Sequence, residues 1–154
     1  RGELPALIID ETKTLLCFRD KNPRAPTHDL VIPKHRIASV FDLQASDIPL
    51  LMEMKEFGLK QLEKEQPESL AAHDYRLVFH VPPFNSVNHL HLHVVAPASQ
   101  LSLFHGMIKY KGEGRNCVTI DLVIRRLQAG KSSVPFPKPS HTLTEFRRRI
   151  GLLS

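Results

Sequence analysis

The run SVNHLHLHVV, from Ser86 to Val95, places a histidine at every second position. Successive side chains of an extended strand point to opposite faces of a sheet, so this period-two pattern predicts a strand over His89–Ala96. One face of that strand carries His89, His91 and His93, and the other carries Leu90, Leu92 and Val94. The chain must therefore form a sheet that buries one side of this strand and leaves imidazoles on the other.

Short apolar runs separated by turn residues predict four further strands. They are Leu7–Ile9, Leu15–Phe18, Leu30–Ile32 and Tyr75–Val81. Between the last two, Ser46 as N-cap, Pro49 in the first turn and apolar residues at helical spacing predict one long helix that ends near Gln66-Pro67. Runs of strands around a single helix favour an α+β fold with a five-stranded antiparallel sheet over a doubly wound parallel sheet.

The C-terminal part of the chain differs in charge from the rest. Residues 1–110 have a formal net charge of −1 and residues 111–154 have +6. We expect a domain over 1–110 followed by a basic, partly helical extension over 111–154, whose charge suits a solvated surface better than a nucleic-acid contact because aromatic residues are not interleaved. Its predicted parts are a helix over Thr119–Ala129, a proline-containing linker over Ser132–Ser140 and a short helix opened by the capping box Thr142–Glu145.

The cysteines, the apolar stretches and the N-terminal residues indicate the cellular compartment in which we expect the protein. Cys17 and Cys117 form no CxxC pair, which favours two reduced, buried thiols in an intracellular protein. No apolar stretch is long enough for a transmembrane helix, and Arg1–Ala6 lack the pattern of a signal peptide. We expect a cytoplasmic protein, with the nucleus as a second location, no membrane contact, and further residues upstream of the first one.

Three imidazoles in one row have three interpretations: an exposed polar face, a zinc site of the HxH type, or catalysis by an imidazole nucleophile. The zinc interpretation lacks a third ligand close in sequence, because no HExxH motif, cysteine cluster or nearby carboxylate accompanies the row. A neutral imidazole can attack phosphorus when a neighbour fixes its tautomer and other donors neutralise the phosphoryl oxygens. We favour this covalent chemistry and expect neither a metal nor a cofactor.

The same run, HLHLHVV preceded by Ser86, resembles the signature of the histidine triad (HIT) superfamily. A second block, Ala25–Lys34, is similar to the strand that supplies the fourth histidine of that family, and Cys17–Asp20 resembles the end of its ribose-binding strand. The likeness covers about residues 3–98 and is strongest to the Hint branch, which hydrolyses nucleoside phosphoramidates and acyl-adenylates. It implies that residues 1–110 are a HIT-like catalytic domain.

The resemblance also implies a role for each matching residue, in a hydrolase of adenosine 5'-monophosphoramidase type that forms a nucleotidyl-histidine. His91 would be the nucleophile, oriented by the backbone carbonyl of His89, while His93 and His28 would contact phosphoryl oxygens. The nucleotide-binding residues would be Ser86 at the phosphate or leaving group, Asp20 at the ribose, His80 where relatives have asparagine, and Phe18 either at the base or in the core.

As partners, the resemblance implies a purine nucleotide substrate of AMP type and a homodimer formed through the long helix. Candidate contacts of the dimer are Met52, Phe57 and Leu59. Two other functions stay open. A nucleotide sensor would bind AMP-like ligands without turnover, and an aprataxin-like deadenylase would use the basic extension on nucleic acid, although no zinc-finger spacing follows the triad.

Overall fold

The computed structural model of the chain describes residues 7–85 and 87–139. Within them, six strands form one antiparallel sheet in the order β1-β2-β3-β5-β4-β6. The strands are β1 (Ile8–Glu11), β2 (Leu15–Arg19), β3 (Thr27–Pro33), β4 (Arg76–His80), β5 (Leu92–Ala96) and β6 (Cys117–Thr119). The helices are α1 (Ile48–Glu65), α2 (Pro67–Ala71) and α3 (Ile120–Gln128). The α+β class is confirmed, but the prediction of five strands is wrong.

The two faces of the sheet follow from the period of two. On β2 and β3, Leu15, Cys17 and Val31 are fully buried on the side that α1 covers. The alternate residues Phe18 and Leu30 lie opposite one another in the β2–β3 register and face away from that helix, into an open cleft. One side of the sheet thus builds the core and the other is left for a ligand.

Helix α1 packs closely on the middle of the sheet. Its apolar residues Leu51, Met54 and Leu62 have no exposed surface, and at Gly58 a Cβ atom would lie 3.2 Å from Val94 Cγ2. The prediction of Ser46 as N-cap is wrong, because residues 45–47 form a 3₁₀ turn and the helix begins after them with Pro49 in its first turn.

The extension contributes to the same sheet and core. Strand β6 pairs with β4, and the Thr119 hydroxyl accepts from the Leu122 amide to cap α3. The helix predicted over Thr119–Ala129 is present, and its buried side chains lie against the main core. The missed strand has only three residues, which is too short for a period-two pattern to be recognised.

Residues 131–139, the proline segment, are not a linker. Val134 is 1% exposed and Ser133 is also buried, with its hydroxyl donating to the Val40 carbonyl at 2.6 Å. The Phe136 ring lies edge-on to Phe41, with 6.4 Å between ring centroids. These contacts hold the segment against the earlier 3₁₀ helix, Val40–Asp42. The predicted terminal helix after residue 140 lies outside the described residues.

Three further expectations concern burial. Both cysteines are free and buried, and desolvation raises the pKa of each thiol to about 12. Of the candidate dimer contacts, Phe57 is only 6% exposed because it belongs to the core of this chain, whereas Met52 is 49% exposed. Across the described part of the chain, every helix is too short or too polar to cross a lipid bilayer.

Candidate active site

The face of the sheet opposite α1 carries a cleft of about 750 Å³. Its walls include five of the predicted site residues: Phe18, Asp20, His89, His91 and His93. The imidazole of His28 is buried behind this cleft, next to His93, and that of His80 lies on the other side of the same ring. Ser86 lies outside the described residues.

The position of the first two triad histidines differs from the prediction. Strand β5 begins at Leu92 instead of His89, so the preceding residues leave the hydrogen-bond ladder. The freed carbonyl of His89 accepts from Nδ1 of His91 at 2.7 Å, and the His89 ring is held by its Nε2, which donates to the Pro33 carbonyl at 2.9 Å. Since a carbonyl only accepts, the His91 proton is on Nδ1 and the lone pair is on Nε2.

A second chain of hydrogen bonds fixes the tautomers of His28 and His93. The amide of Arg24 donates to Nδ1 of His28 at 3.1 Å, which leaves the His28 proton on Nε2. That Nε2 lies 2.9 Å from Nδ1 of His93 and 3.3 Å from Oδ2 of Asp20. His93 therefore accepts at Nδ1 and carries its proton on Nε2, which is buried and has no hydrogen-bond partner among the described residues.

Burial keeps these imidazoles neutral. Desolvation lowers the pKa of His28 and of His80 to about 4, and it lowers that of His91 as well. The pKa of His93 is also well below its ordinary range, through burial first and then through the neighbouring imidazoles. At neutral pH the tautomers given by the hydrogen bonds are thus the ones present.

Asp20 follows β2 and serves both the turn and the site. One carboxylate oxygen accepts from the amide of Asn22 at 2.8 Å, as in the turn predicted there, and the other faces His28. The carboxylate also lines the cleft. The turn and ribose interpretations of this residue are therefore compatible.

The arrangement around His80 contains a residue that sequence reasoning missed. Nε2 of His80 donates to the Lys109 carbonyl at 3.1 Å, and its ring centroid is 4.3 Å from that of His93. Tyr110, which follows Lys109 in the sequence, is buried against the rings of His28, His80 and His93. The sequence after Pro97 has no clear periodicity, so only the position of an isolated aromatic residue could have pointed to it.

Asp20, His28 and His93 are also the group of described residues whose ligand atoms are close enough to hold a metal ion, all within 4.8 Å of one another. The donor set does not suit this. His28 would have to bind through Nε2, which needs a free lone pair there, yet the Arg24 amide occupies the lone pair of Nδ1 and so places the proton on Nε2. The hydrogen bonds are those of a metal-free cluster.

Comparison with known proteins gives one consistent result. Residues 1–107 match the family described as scavenger mRNA decapping enzyme, C-terminal binding. The adenosine 5'-monophosphoramidase HINT3 of Xenopus tropicalis is 39% identical over 129 residues, which are 84% of this chain and 82% of that protein. The bifunctional adenosine 5'-phosphosulfate phosphorylase/adenylylsulfatase HINT4 of Arabidopsis thaliana is 42% identical over 62% of this chain and 64% of its own length.

The solved structures agree with the sequence relatives. A HIT family hydrolase from Legionella pneumophila superposes with a TM-score of 0.56 at 40% identity. The superposition covers 62% of this chain and 84% of the other. The shared part is thus nearly the whole of the smaller protein.

Proposed function

Because the chain belongs to the Hint branch of the histidine triad family and is a hydrolase of adenosine 5'-monophosphoramidase type, we propose that it acts through a covalent nucleotidyl-histidine at His91. The observation that carries this proposal is the 2.7 Å hydrogen bond between His91 Nδ1 and the His89 carbonyl. It leaves the Nε2 lone pair on the ring that lines the cleft, as a nucleophile requires.

In the first step, Nε2 of His91 attacks the α-phosphorus of the nucleoside phosphoramidate. The new N–P bond replaces the P–N bond to the leaving amine, which departs with a proton from the site or from solvent. Nε2 of His93 carries a proton that has no acceptor among the described residues, so it donates to a phosphoryl oxygen. His28 supports this ring through its hydrogen bond to Nδ1. Water then attacks the same phosphorus, releases AMP and restores the imidazole.

The nucleotide is held by the residues at the mouth of this cluster. Asp20 accepts from the ribose hydroxyls, and Phe18, whose ring lines the cleft, contacts the base. Ser86 binds the phosphate or the leaving group by analogy with the family. His80 fills the place of an asparagine in relatives and acts by packing on His93. No cofactor takes part in this scheme.

The functional division between residues 1–110 and 111–154 is part of the same proposal. All proposed catalytic residues lie in the first range, and we expect the basic extension to present a solvated surface instead of a nucleic-acid contact. A homodimer would use the exposed side of α1 around Met52. The expected places of action are the cytoplasm and the nucleus.

The experiment is mass spectrometry of enzyme that is quenched during turnover of adenosine 5'-phosphoramidate. We expect a mass increase of one adenylyl group, mapped to the peptide that contains His91, and its loss in His91→Ala. His35→Ala is the matched control, because His35 is exposed and, unlike its neighbour Arg36, does not line the cleft. Turnover without an adduct would contradict the covalent route, whereas tight AMP binding without turnover would favour a nucleotide sensor.

A further inference from the structure

Tyr110 lies outside the cleft, on the far side of the buried imidazoles, and is 3% exposed. Its ring centroid is 5.0 Å from that of His80, 5.3 Å from that of His28 and 5.3 Å from that of His93. The contacts to His28 and His93 are edge-on, at 89° and 68°. One aromatic ring thus covers three histidines that belong to three different strands and that the proposed reaction uses.

The backbone around Tyr110 fixes this ring in place. Its amide donates to the His105 carbonyl at 2.8 Å, and the carbonyl of the preceding Lys109 accepts from His80 Nε2. Val95 and Cys117 complete a small apolar cluster around the tyrosine. The ring is therefore positioned by β-sheet residues on one side and by its own segment on the other.

The imidazole of His93 depends on such packing. Its Nδ1 accepts one hydrogen bond, from His28, and its Nε2 has no partner among the described residues, so hydrogen bonding alone does not fix the ring plane. Its other constraints are the rings of His80, His91 and Tyr110, with centroids at 4.3, 4.9 and 5.3 Å. Of these, only Tyr110 is apolar over most of its surface.

We propose that Tyr110 is a positioning residue, which excludes water from the His28–His93 pair and holds the His93 ring so that its Nε2 proton faces the phosphate. The inference rests on the role proposed for His93 and adds a residue from a segment with no triad motif. Without the ring, water would enter beside the pair, and the neutral form of His93 would lose its advantage.

Removing the ring deletes none of the charged groups around the pair, but Lys109 and His105 lose their contacts with it. His93 faces His80, His91, His28 and Lys109, while His28 also faces Asp20, Arg24 and His105. The cations oppose protonation and the carboxylate favours it. Tyr110→Phe keeps these ring contacts, so a movement of the acid limb in Tyr110→Leu is compared with Tyr110→Phe as well as with the wild type.

The test compares Tyr110→Leu, Tyr110→Phe and Tyr75→Leu with the wild type. Tyr75 is the other tyrosine of the chain. Its described ring contact is with His73, which is not a residue of the proposed site. For Tyr110→Leu we expect kcat for adenosine 5'-phosphoramidate at pH 5.5 to fall at least tenfold with KM within threefold. Its acid limb should move towards the ordinary histidine pKa of about 6.5. Tyr110→Phe should keep kcat and the acid limb at their wild-type values, and Tyr75→Leu should also leave both unchanged.

Nitrogen-15 NMR of the imidazoles provides a readout that does not depend on turnover. In the wild type we expect His93 to stay neutral, with its proton on Nε2, well below the ordinary histidine pKa of about 6.5, and in Tyr110→Leu to titrate closer to that pKa. If the NMR shows these titrations but the wild type does not turn over the phosphoramidate, the proposed function is contradicted and the positioning role of Tyr110 still holds.

Two results would overturn the inference about Tyr110. One is a folded Tyr110→Leu whose kcat and acid limb equal those of Tyr110→Phe. The other, decisive even where the leucine variant does not fold, is a wild-type His93 that titrates near pH 6.5 or carries its proton on Nδ1.

Discussion

Ending the chain after Gly130 tests whether the proline segment stabilises the domain. The deletion removes the buried Val134 side chain, which contributes about 2 kcal/mol at the usual value for a fully buried valine. It also removes the hydrogen bond from Ser133 and the Phe41–Phe136 ring pair, at about 1 kcal/mol each. The entropy recovered by not ordering the segment offsets part of this. The three contacts sum to about 4 kcal/mol before this entropy is subtracted, so we expect the free energy of unfolding to fall by less than that amount.

The assay is urea unfolding of two chains, one ending at residue 139 and one ending at residue 130, so that residues 140–154 are absent from both. Val134→Ala in the longer chain should cost about 1.5 kcal/mol, as expected for two buried methyl-sized groups. Lys138→Ala is the matched control, because this side chain is 66% exposed and its ion pair with Asp42 is 4.0 Å long; it should change little.

Turnover per folded molecule should be the same in both chains, since the proposed catalytic residues all precede residue 111. Equal urea midpoints for the two chains would refute the reasoning about stability. Loss of turnover in a shorter chain that remains folded would show that the segment contributes to the site itself.

Three further predictions concern the site and the sheet. His91→Ala should abolish phosphoramidate turnover while AMP binding measured by calorimetry persists; a loss below tenfold, near 1.4 kcal/mol, would contradict the role of nucleophile. EDTA should leave turnover unchanged, and a chelator-sensitive enzyme with stoichiometric zinc would reverse our interpretation of the histidine cluster. The pKa of Asp29 is raised to about 8, first by burial and then by the nearby Glu65 carboxyl. The protonated form of Asp29 therefore stabilises the fold at low pH, and this contribution is lost as pH rises towards 8. The other titrating groups are common to both chains, so between pH 7 and 8.5 the free energy of unfolding of the wild type should fall relative to that of Asp29→Asn in urea unfolding. The same pH dependence in both chains would refute the assignment.

The fold was predictable for the elements whose periodic pattern extends over many residues. The alternation on β5 and the apolar spacing along α1 each need many residues, and both were correctly identified. The start of β5 was not, because the sequence keeps alternating through His89 while the backbone leaves the ladder to free one carbonyl. The buried proline segment was missed because its proline content is typical of a linker, whereas its burial depends on a long-range hydrogen bond to Val40.

The site was predictable in its residue types and less so in its chemistry. Period two predicted the imidazole row, whereas His28 was assigned from the resemblance of the second block to the family. The tautomers depend on the Arg24 amide and the His89 carbonyl, which have no side-chain signature. The same is true of Tyr110, whose contacts join β3, β4 and β5. Local patterns predict which groups meet, while the three-dimensional contacts decide which nitrogen carries the proton.

The hydrogen-bond chain that starts at the Arg24 amide has a fixed polarity. A peptide N–H cannot become an acceptor, so neither His28 nor His93 can reverse its direction while both stay neutral, and the site ends in a donor. An anionic oxygen satisfies that donor. A ligand that offers an N–H or O–H at the same point would leave two donors facing each other in a dry environment, at a cost of about 1–3 kcal/mol. The turn at residues 22–24, outside the triad, thereby favours ligands that present a hydrogen-bond acceptor to Nε2 of His93.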